Sequence, residues 1–341
     1  MKNPFVTNGY VSPEYFCDRE KETAKIVSLL TNENNIALIS PRRLGKTDLL
    51  RHCFGQPEIK EHYHTFIIDI YATSSVRDFV NVFGKAVLDE LRPKGKSVWG
   101  TFLNVLASLR SEITFDMNGQ PTWGIGLGAI TNPSATLDEI FSYLNNAGKP
   151  CLIAIDEFQQ ITKYADDPNI EAALRTHIQR CSNAHFVFSG SHRHLMGAMF
   201  TSPARPFYQS VTLINLPPIS VDKYAEFCLK HFERASKRLD TLVVTELYER
   251  FNGITSYMQK VMNILFSMTG TGEICIPSMI DTAINDLLDF SADTYDALLY
   301  QMPEKQRIVF MAIAAEGKAK AISSGDFVRK YKLQSASSVS S

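Results

Sequence analysis

Asn35-Ile36-Ala37-Leu38-Ile39-Ser40-Pro41-Arg42-Arg43-Leu44-Gly45-Lys46-Thr47-Asp48-Leu49-Leu50 is the stretch whose reading decides the fold. The apolar run Ile36–Ile39 has the length of a buried strand, and Asp48-Leu49-Leu50 continues as the opening of a helix. Between them lies a turn-rich loop ending in Gly45-Lys46-Thr47. Strand, loop and helix in this order are what a phosphate-binding loop needs, because backbone N–H groups of the loop and of the helix N-terminus can face a polyphosphate. Lys46 is placed to reach the β- and γ-phosphates, and the Thr47 hydroxyl to bind Mg2+. One position departs from the pattern G-x-x-x-x-G-K-[ST]: Ser40 stands where the first glycine is expected. Glycine relieves a backbone that needs positive φ, so Ser40 predicts a different entry into the loop.

The rest of the composition is that of a soluble globular chain. Its 341 residues suggest two or three domains. Hydrophobic residues make up 45% and charged residues 21%, and the formal net charge of −1 excludes a basic field spread over the whole protein. Cys17, Cys53, Cys151, Cys181, Cys228 and Cys275 are scattered without a C-x-x-C pair, which fits reduced thiols in the cytosol. The N-terminal segment lacks an apolar signal region, and no apolar run approaches the ~18 residues of a membrane span. The expectation is a cytoplasmic protein with no membrane partner.

Working outward from the loop, Phe16-Cys17-Asp18-Arg19-Glu20 leads into an amphipathic helix, Ala24 to Leu30. His64 to Tyr71 reads as a buried strand, with Asp69 either near the ligand or, the favoured reading, capping a neighbouring loop. Helices are predicted over Val76–Leu91 and roughly Trp99–Ser111. Ile113 to Gly128, carrying Gly119, Gly124, Gly126 and Gly128, reads as a β-hairpin insertion. Thr136–Asn145 is predicted helical with Asp138 and Glu139 in its first turn.

Cys151-Leu152-Ile153-Ala154-Ile155-Asp156-Glu157 is the partner motif, an apolar strand ending in two acids. Downstream of a strand–loop–G-K-T, Asp156 is placed to hold Mg2+ and Glu157 to polarise the attacking water. The bland alternative is a strand ending at a solvated acidic turn. After a helix over Asn169–Cys181, the strand His185–Phe188 ends in Ser189-Gly190-Ser191. Ser189 there would touch the γ-phosphate or the water, or would simply form a turn. His192-Arg193-His194 has no acid or thiol at ligand spacing and reads as a solvated helix start rather than a metal site. Arg205, between Pro203 and Pro206, has two readings: a transition-state finger, in cis or toward a neighbouring subunit, or a surface residue. Val211–Leu216 is the last core strand, and Pro217-Pro218 marks a boundary.

From Ser220 to Leu299 the pattern is helical: Val221–Arg234, Leu239–Phe251, Ser256–Thr269 and Ile276–Tyr300, with Asn252-Gly253 as a helix end. Residues 303–341 carry seven Lys/Arg against three acids. They read as a helix (Gln306–Ala315), a short second helix capped by Ser323 or Ser324, and a third opening at Ser337-Ser338-Val339. The expectation is a helix-turn-helix whose second helix is the reader, in a module that is truncated and without a wing.

These motifs in this order resemble the archaeal-type ATPase family within the STAND/AAA-like P-loop ATPases, over nearly the whole chain. The residues carrying the resemblance are Phe16 to Glu20, the string Pro41-Arg42-Arg43-Leu44-Gly45-Lys46-Thr47, Asp156-Glu157 and Ser189 to Ser191, followed by a helical lid and a winged helix. The resemblance implies that Phe16 to Glu20 lie near the adenine and that the lid closes over the nucleotide. The family's lid usually carries G-x-P; here Gly253-Ile254-Thr255-Ser256-Tyr257 lacks the proline.

The expected architecture is a mainly parallel α/β sheet with helices on both faces (1–217), a helical lid (218–300) and a partial winged-helix module (301–341). The expected function is an ATP- and Mg2+-dependent ATPase that acts as a conformational switch. Glu157, Lys46, Ser189 and Arg205 are the candidate catalytic residues, with Thr47 and Asp156 as metal ligands. Phe16, Arg19, Pro41, Arg42, Arg43, Leu44, Gly45, Lys46, Thr47 and Asp48 are the candidate nucleotide-binding residues. Two alternatives are a DNA-binding regulator whose shape ATP sets, and a protein-interaction switch with little turnover. The partners expected are ATP/ADP, duplex DNA or a protein, and a second copy of the chain.

Overall fold

Five parallel strands form the central sheet: β1 (Ile36–Ile39), β2 (His64–Asp69), β5 (Cys151–Asp156), β6 (Ala184–Gly190) and β7 (Thr212–Asn215). The computed structural model describes residues 2–91, 113–115, 121–123, 132–317 and 319–334. The strand order is β2-β5-β6-β1-β7. β6 therefore lies between the strand that feeds the phosphate-binding loop and the strand that ends in Asp156. In a parallel sheet ligands bind beyond the carboxyl ends of the strands, where the order reverses. Here that crevice has Ser40 on one side and Asp156-Glu157 on the other.

Side chains of successive strand residues point to opposite faces, and both faces are covered. Ile36 and Leu38 of β1, Leu152 and Ala154 of β5, and Val187 of β6 pack against α1 (Glu20–Thr31), α2 (Lys46–Phe54) and α3 (Pro57–His62) through Ile26, Leu30, Leu49, Leu50 and Ile59. On the opposite face Ala37, Ile39, Phe66, Ile68, Ile153, Ile155, Phe186 and Phe188 share one core with residues of α4 (Val76–Glu90), α5 (Pro133–Asn145), α6 (Ile170–Arg180) and α7 (Arg193–Thr201). Each fully buried Leu, Ile or Phe contributes about 1.5–3 kcal/mol, so these two faces hold the sheet that carries the loop.

Several boundaries differ from the sequence reading. Helix α1 begins at Glu20, because Arg19 takes a left-handed backbone and turns the chain into it. β2 stops at Asp69, whose Oδ1 accepts from the Tyr71 N–H at 2.8 Å, the loop-capping role. α5 starts at Pro133 with Asn132 as its cap, so Asp138 and Glu139 fall beyond its first turn. A short helix, α3, follows α2 where none was predicted, started by Pro57. The hairpin is present as β3 (Ile113–Phe115) paired antiparallel with β4 (Pro121–Trp123). Its four glycines, the predicted helix at 99–111, Lys318 and the third C-terminal helix at Ser337 lie outside the described residues.

The chain divides into two compact units, Met1–Pro277 and Ser278–Ser341. Beyond β7 the first unit adds α8 (Val221–Arg234), α9 (Thr241–Phe251) and α10 (Thr255–Met268), with a two-residue parallel pair, β8 (Arg238–Leu239) and β9 (Ile274–Cys275). Phe5 lies fully buried against Phe227, Phe232 and Phe266 of this helical part, with ring centres 6.0, 5.8 and 5.7 Å away. Asn263 fastens the same segment, donating to the Phe5 carbonyl at 2.7 Å and accepting from Asn3 Nδ2 at 2.8 Å. The expected helix Ile276–Tyr300 is broken into α11 (Ile280–Asp289) and α12 (Ala292–Gln301). Pro277 cannot donate to a helix ladder, and the backbone leaves helical geometry at Ser291.

The second unit continues with α13 (Glu304–Glu316) and α14 (Gly325–Lys330), around a small core of Ala312, Phe327 and Leu333. Ser324 caps α14 by accepting from the Phe327 N–H at 3.2 Å. Among the described residues no helix is long and apolar enough to cross a membrane, and all six cysteines are free thiols.

Candidate functional site

The phosphate-binding loop resolves the question raised by Ser40. Positive φ falls on Arg43 (70°) and on Gly45 (83°), and Ser40 is not among the residues with positive φ. A glycine is therefore not required at position 40. Ser40 is fully buried; its N–H donates to the Gly190 carbonyl at 3.3 Å and its hydroxyl to the Pro41 carbonyl at 3.0 Å. Gly45 forms the turn that starts α2, whose first helical bond runs from the Leu49 N–H to the Gly45 carbonyl at 2.9 Å. The left-handed Arg43 is supported from α10. Its carbonyl accepts from the Ser256 N–H at 3.2 Å, and its guanidinium lies over the Tyr257 ring at 4.8 Å.

Lys46 and Thr47 open α2 and face the strand ends. Lys46 is buried, and its Nζ donates to the Ser40 carbonyl at 3.2 Å. Burial lowers the pKa of its ammonium, with Asp156 and Glu157 opposing the shift. The Thr47 hydroxyl donates to Asp156 Oδ2 at 2.5 Å, and Asp156 Oδ1 accepts from the Glu157 N–H at 3.0 Å. The two expected metal ligands are thus in contact across 109 residues of sequence. A hydroxyl and a carboxylate beside a lysine are hard oxygen donors of the kind Mg2+ takes, so the donor set fits that ion.

Glu157 follows β5 in a left-handed conformation (φ 55°, ψ 38°), which costs a non-glycine residue about 1–3 kcal/mol. Its Oε2 accepts from Gln159 Nε2 at 2.5 Å and from the Ser191 hydroxyl at 2.9 Å. Ser191 in turn accepts from Arg42 Nε at 3.4 Å, and the Arg42 guanidinium lies 5.4 Å from the centre of the Tyr71 ring. Ser189, expected at the strand end, lies inside β6, opposite Leu38, because β6 runs on to Gly190. Its hydroxyl is fully buried and makes no hydrogen bond among the described residues. Ser191, two residues on, is the serine that touches Glu157.

Above the loop opens a cleft of about 360 Å³, within the range of small-molecule sites. Arg42 to Asp48 and Glu157 form its floor, and Thr255, Ser256 and Gln259 of α10 form one wall. The N-terminal segment supplies another wall, with Val6, Thr7, Tyr10, Phe16 and Arg19. Phe16 stacks on His52 of α2 (4.3 Å, 18°), and the Tyr10 hydroxyl meets His52 Nδ1 at 3.0 Å. Burial lowers the pKa of His52. Arg19 is buried and committed elsewhere, donating to the Pro217 carbonyl at 2.7 Å and to Glu22 at 2.9 Å. Asp48 lines the cleft with its carboxyl pKa pushed up by burial, against Arg51.

Besides the buried Ser189, two expected residues stand outside this constellation. Pro41 is exposed and does not line the cleft. Arg205 does not line it either; its Nη2 lies 2.7 Å from Glu171 Oε1 on α6, a charge contact without hydrogen-bond alignment. His192 to His194 are exposed at the start of α7, and no cluster of metal-binding side chains occurs among the described residues. Sequence reasoning missed Tyr10, Gln159, Ser191, Ser256 and Gln259. Ser191 carried a signal as part of the Ser-Gly-Ser turn, and Ser256 as part of the lid stretch Gly253–Tyr257.

Comparison with known proteins fits this site. A model of the ATPase domain found predominantly in Archaea matches residues 16–261, and a model of a probable winged helix domain matches residues 293–341. No curated protein matches the chain. Among solved structures it is similar to the Walker-type ATPase of Pyrococcus abyssi, at 17% identity and TM-score 0.60, covering 96% of this chain and 87% of that one. It is also similar to the ORC2 protein of Aeropyrum pernix, at 14% identity and TM-score 0.59, covering 97% of this chain and 82% of that one. The ORC1 protein of the same organism, solved in complex with DNA, is similar at 14% identity and TM-score 0.56, covering 97% and 81%. At these identities the likeness is one of fold. The family match spans most of the chain, including every motif of the cleft: this protein belongs to the family of ATPase domains found predominantly in Archaea.

Proposed function

We propose that this protein binds ATP with Mg2+ in the cleft between the phosphate-binding loop and α10, hydrolyses it slowly, and acts as a nucleotide-driven switch. The observation that carries this reading is the Thr47–Asp156 contact, flanked by buried Lys46 and by Glu157. Thr47 and Asp156 would hold the metal, which supplies neutralising charge to the phosphate oxygens when bound. Backbone N–H groups of the loop and of α2 would cradle the polyphosphate, with Lys46 on the β- and γ-phosphates. Glu157 would take a proton from the attacking water, whose oxygen bonds to the γ-phosphorus as the β–γ bridging bond breaks. Phe16, stacked on His52, offers a face to the base. Arg205 is held outside the cleft lining, so a finger role would be played toward a neighbouring copy.

Residues 218–300 are read as the lid, and its part up to Pro277 belongs to the first unit. Ser256 and Tyr257 of α10 hold Arg43, so a change at the loop reaches this helix directly. The test is ATP binding and turnover by the wild type, Lys46→Ala and Glu157→Gln. Lys46→Ala is expected to lose binding, and Glu157→Gln to bind ATP without turnover. Two variants that match the wild type would sink the reading.

A second reading, in which ATP sets the shape of a DNA-binding regulator, is favoured by the basic excess in 303–341 and the winged-helix match. Duplex binding measured against salt distinguishes it. A log–log slope near zero excludes phosphate contacts.

A further inference from the structure

We infer that Gln159 is a positioning residue for Glu157, seated by the missing side chain at Gly190; this rests on the reading of Glu157 as the base. Gln159 lies in the short helical turn Phe158–Lys163 after β5 and is only 4% exposed. Its Nε2 donates to Glu157 Oε2 at 2.5 Å, while its Oε1 is buried and takes no hydrogen bond among the described residues. The amide nitrogen must face the carboxylate, since an amide oxygen there would meet a second acceptor. A buried amide with one end unpaired is costly, and what it achieves is one charge-assisted bond to Glu157. Ser191 donates to the same oxygen, so both donors fall on Oε2 and fix the plane of the carboxylate. Glu157 needs that restraint, because its left-handed backbone follows the last residue of β5 and has no strand ladder of its own.

Gly190 makes room for this arrangement. A Cβ built there would lie 2.4 Å from Gln159 Oε1 and 2.6 Å from the Met196 side chain. Any side chain at 190 would push the amide off its seat. The last residue of β6 thus governs the carboxylate that follows β5, through a glutamine that does not itself line the cleft.

The experiment is steady-state and single-turnover ATP hydrolysis by the full chain, with ATP binding measured separately. Gln159→Leu is expected to lower kcat roughly ten- to a hundredfold, the worth of a bond to a charged group, with KM and ATP affinity within about twofold of wild type. Gly190→Ala is expected to do the same without altering the glutamine. Ser191→Ala, at a half-buried position, gives a smaller loss of the same kind and covers the case in which a core variant does not fold. In a Glu157→Gln background, Gln159→Leu is expected to add no further loss, because the group it positions is gone. An unchanged or raised kcat, a loss shared with ATP binding, or losses that add in the double variant would overturn the inference. Wild-type turnover in Glu157→Gln alone would instead overturn the base reading beneath it.

Discussion

The Arg43 guanidinium, in the phosphate-binding loop, lies 4.8 Å from the centre of the Tyr257 ring on α10, and the Arg43 carbonyl accepts from the neighbouring Ser256 N–H. Arg43 takes the strained left-handed backbone that the loop needs at this point (φ 70°). The loop and α10 are therefore held together by the residue whose conformation has the most to gain from support. Tyr257→Ala removes the ring and leaves the backbone bond. A cation–π contact at a half-exposed site is worth about 0.5–1 kcal/mol. ATP affinity is expected to fall about two- to fivefold, and binding of ATP to protect α10 amides from exchange less than in the wild type. Equal protection in both proteins would show that the ring does not couple loop to helix.

Ser40 and Gly45 make opposite predictions although both occupy glycine positions of the motif. Ser40 needs no positive φ, so Ser40→Gly is expected to leave ATP affinity within about twofold and to lower stability slightly through the greater freedom of the unfolded chain. Gly45 has φ 83°, with nothing within 4 Å of a built Cβ, so Gly45→Ala meets backbone strain and no clash. A cost of about 1–2 kcal/mol follows. Isothermal titration and denaturant midpoints of the two variants check the contrast. A larger effect at Ser40 than at Gly45 would contradict the loop geometry.

His231 on α8 is fully buried among Phe5, Tyr15 and Phe227, and neither ring nitrogen makes a hydrogen bond among the described residues. Burial lowers its pKa below the ordinary value of 6.5, and Arg234 and Lys230 push the same way. The Glu14 backbone and carboxylate oppose this, the backbone without reaching hydrogen-bond geometry. A folded-state pKa below the unfolded value means that stability is fully present above pH ~6.5 and is lost as pH falls through the folded pKa. His231→Phe is expected to be near neutral at pH 7.5 and to flatten the decline in melting temperature between pH 7 and 5. An unchanged slope would assign the acid sensitivity to other groups, such as His52.

Much of this protein was legible in order along the chain. The run Ile36–Ile39, the Gly45-Lys46-Thr47 that follows it and the strand ending at Asp156-Glu157 determined a parallel sheet with a phosphate-binding loop. Local chemistry suffices there: β-branched and apolar runs make strands, a left-handed glycine starts α2, and acids end β5. Helix termini were less legible, as at α5 and at the break between α11 and α12, because caps and prolines decide them within one or two residues.

What only tertiary structure decided is which groups meet. Thr47 and Asp156 lie 109 residues apart and touch because β6 spaces β1 from β5. Ser191 rather than Ser189 reaches Glu157 because β6 extends two residues farther than its apolar run, which keeps Ser189 inside the sheet opposite Leu38 and puts Ser191 just past the strand end. Phe5 enters the helical part of the first unit, so the N-terminal segment crosses the cleft, and no local pattern in residues 1–20 announces this. Periodicity and motif spacing record each residue's neighbours along the chain. The contacts that shape this site depend on strand order and register, which the packing of the two sheet faces settles.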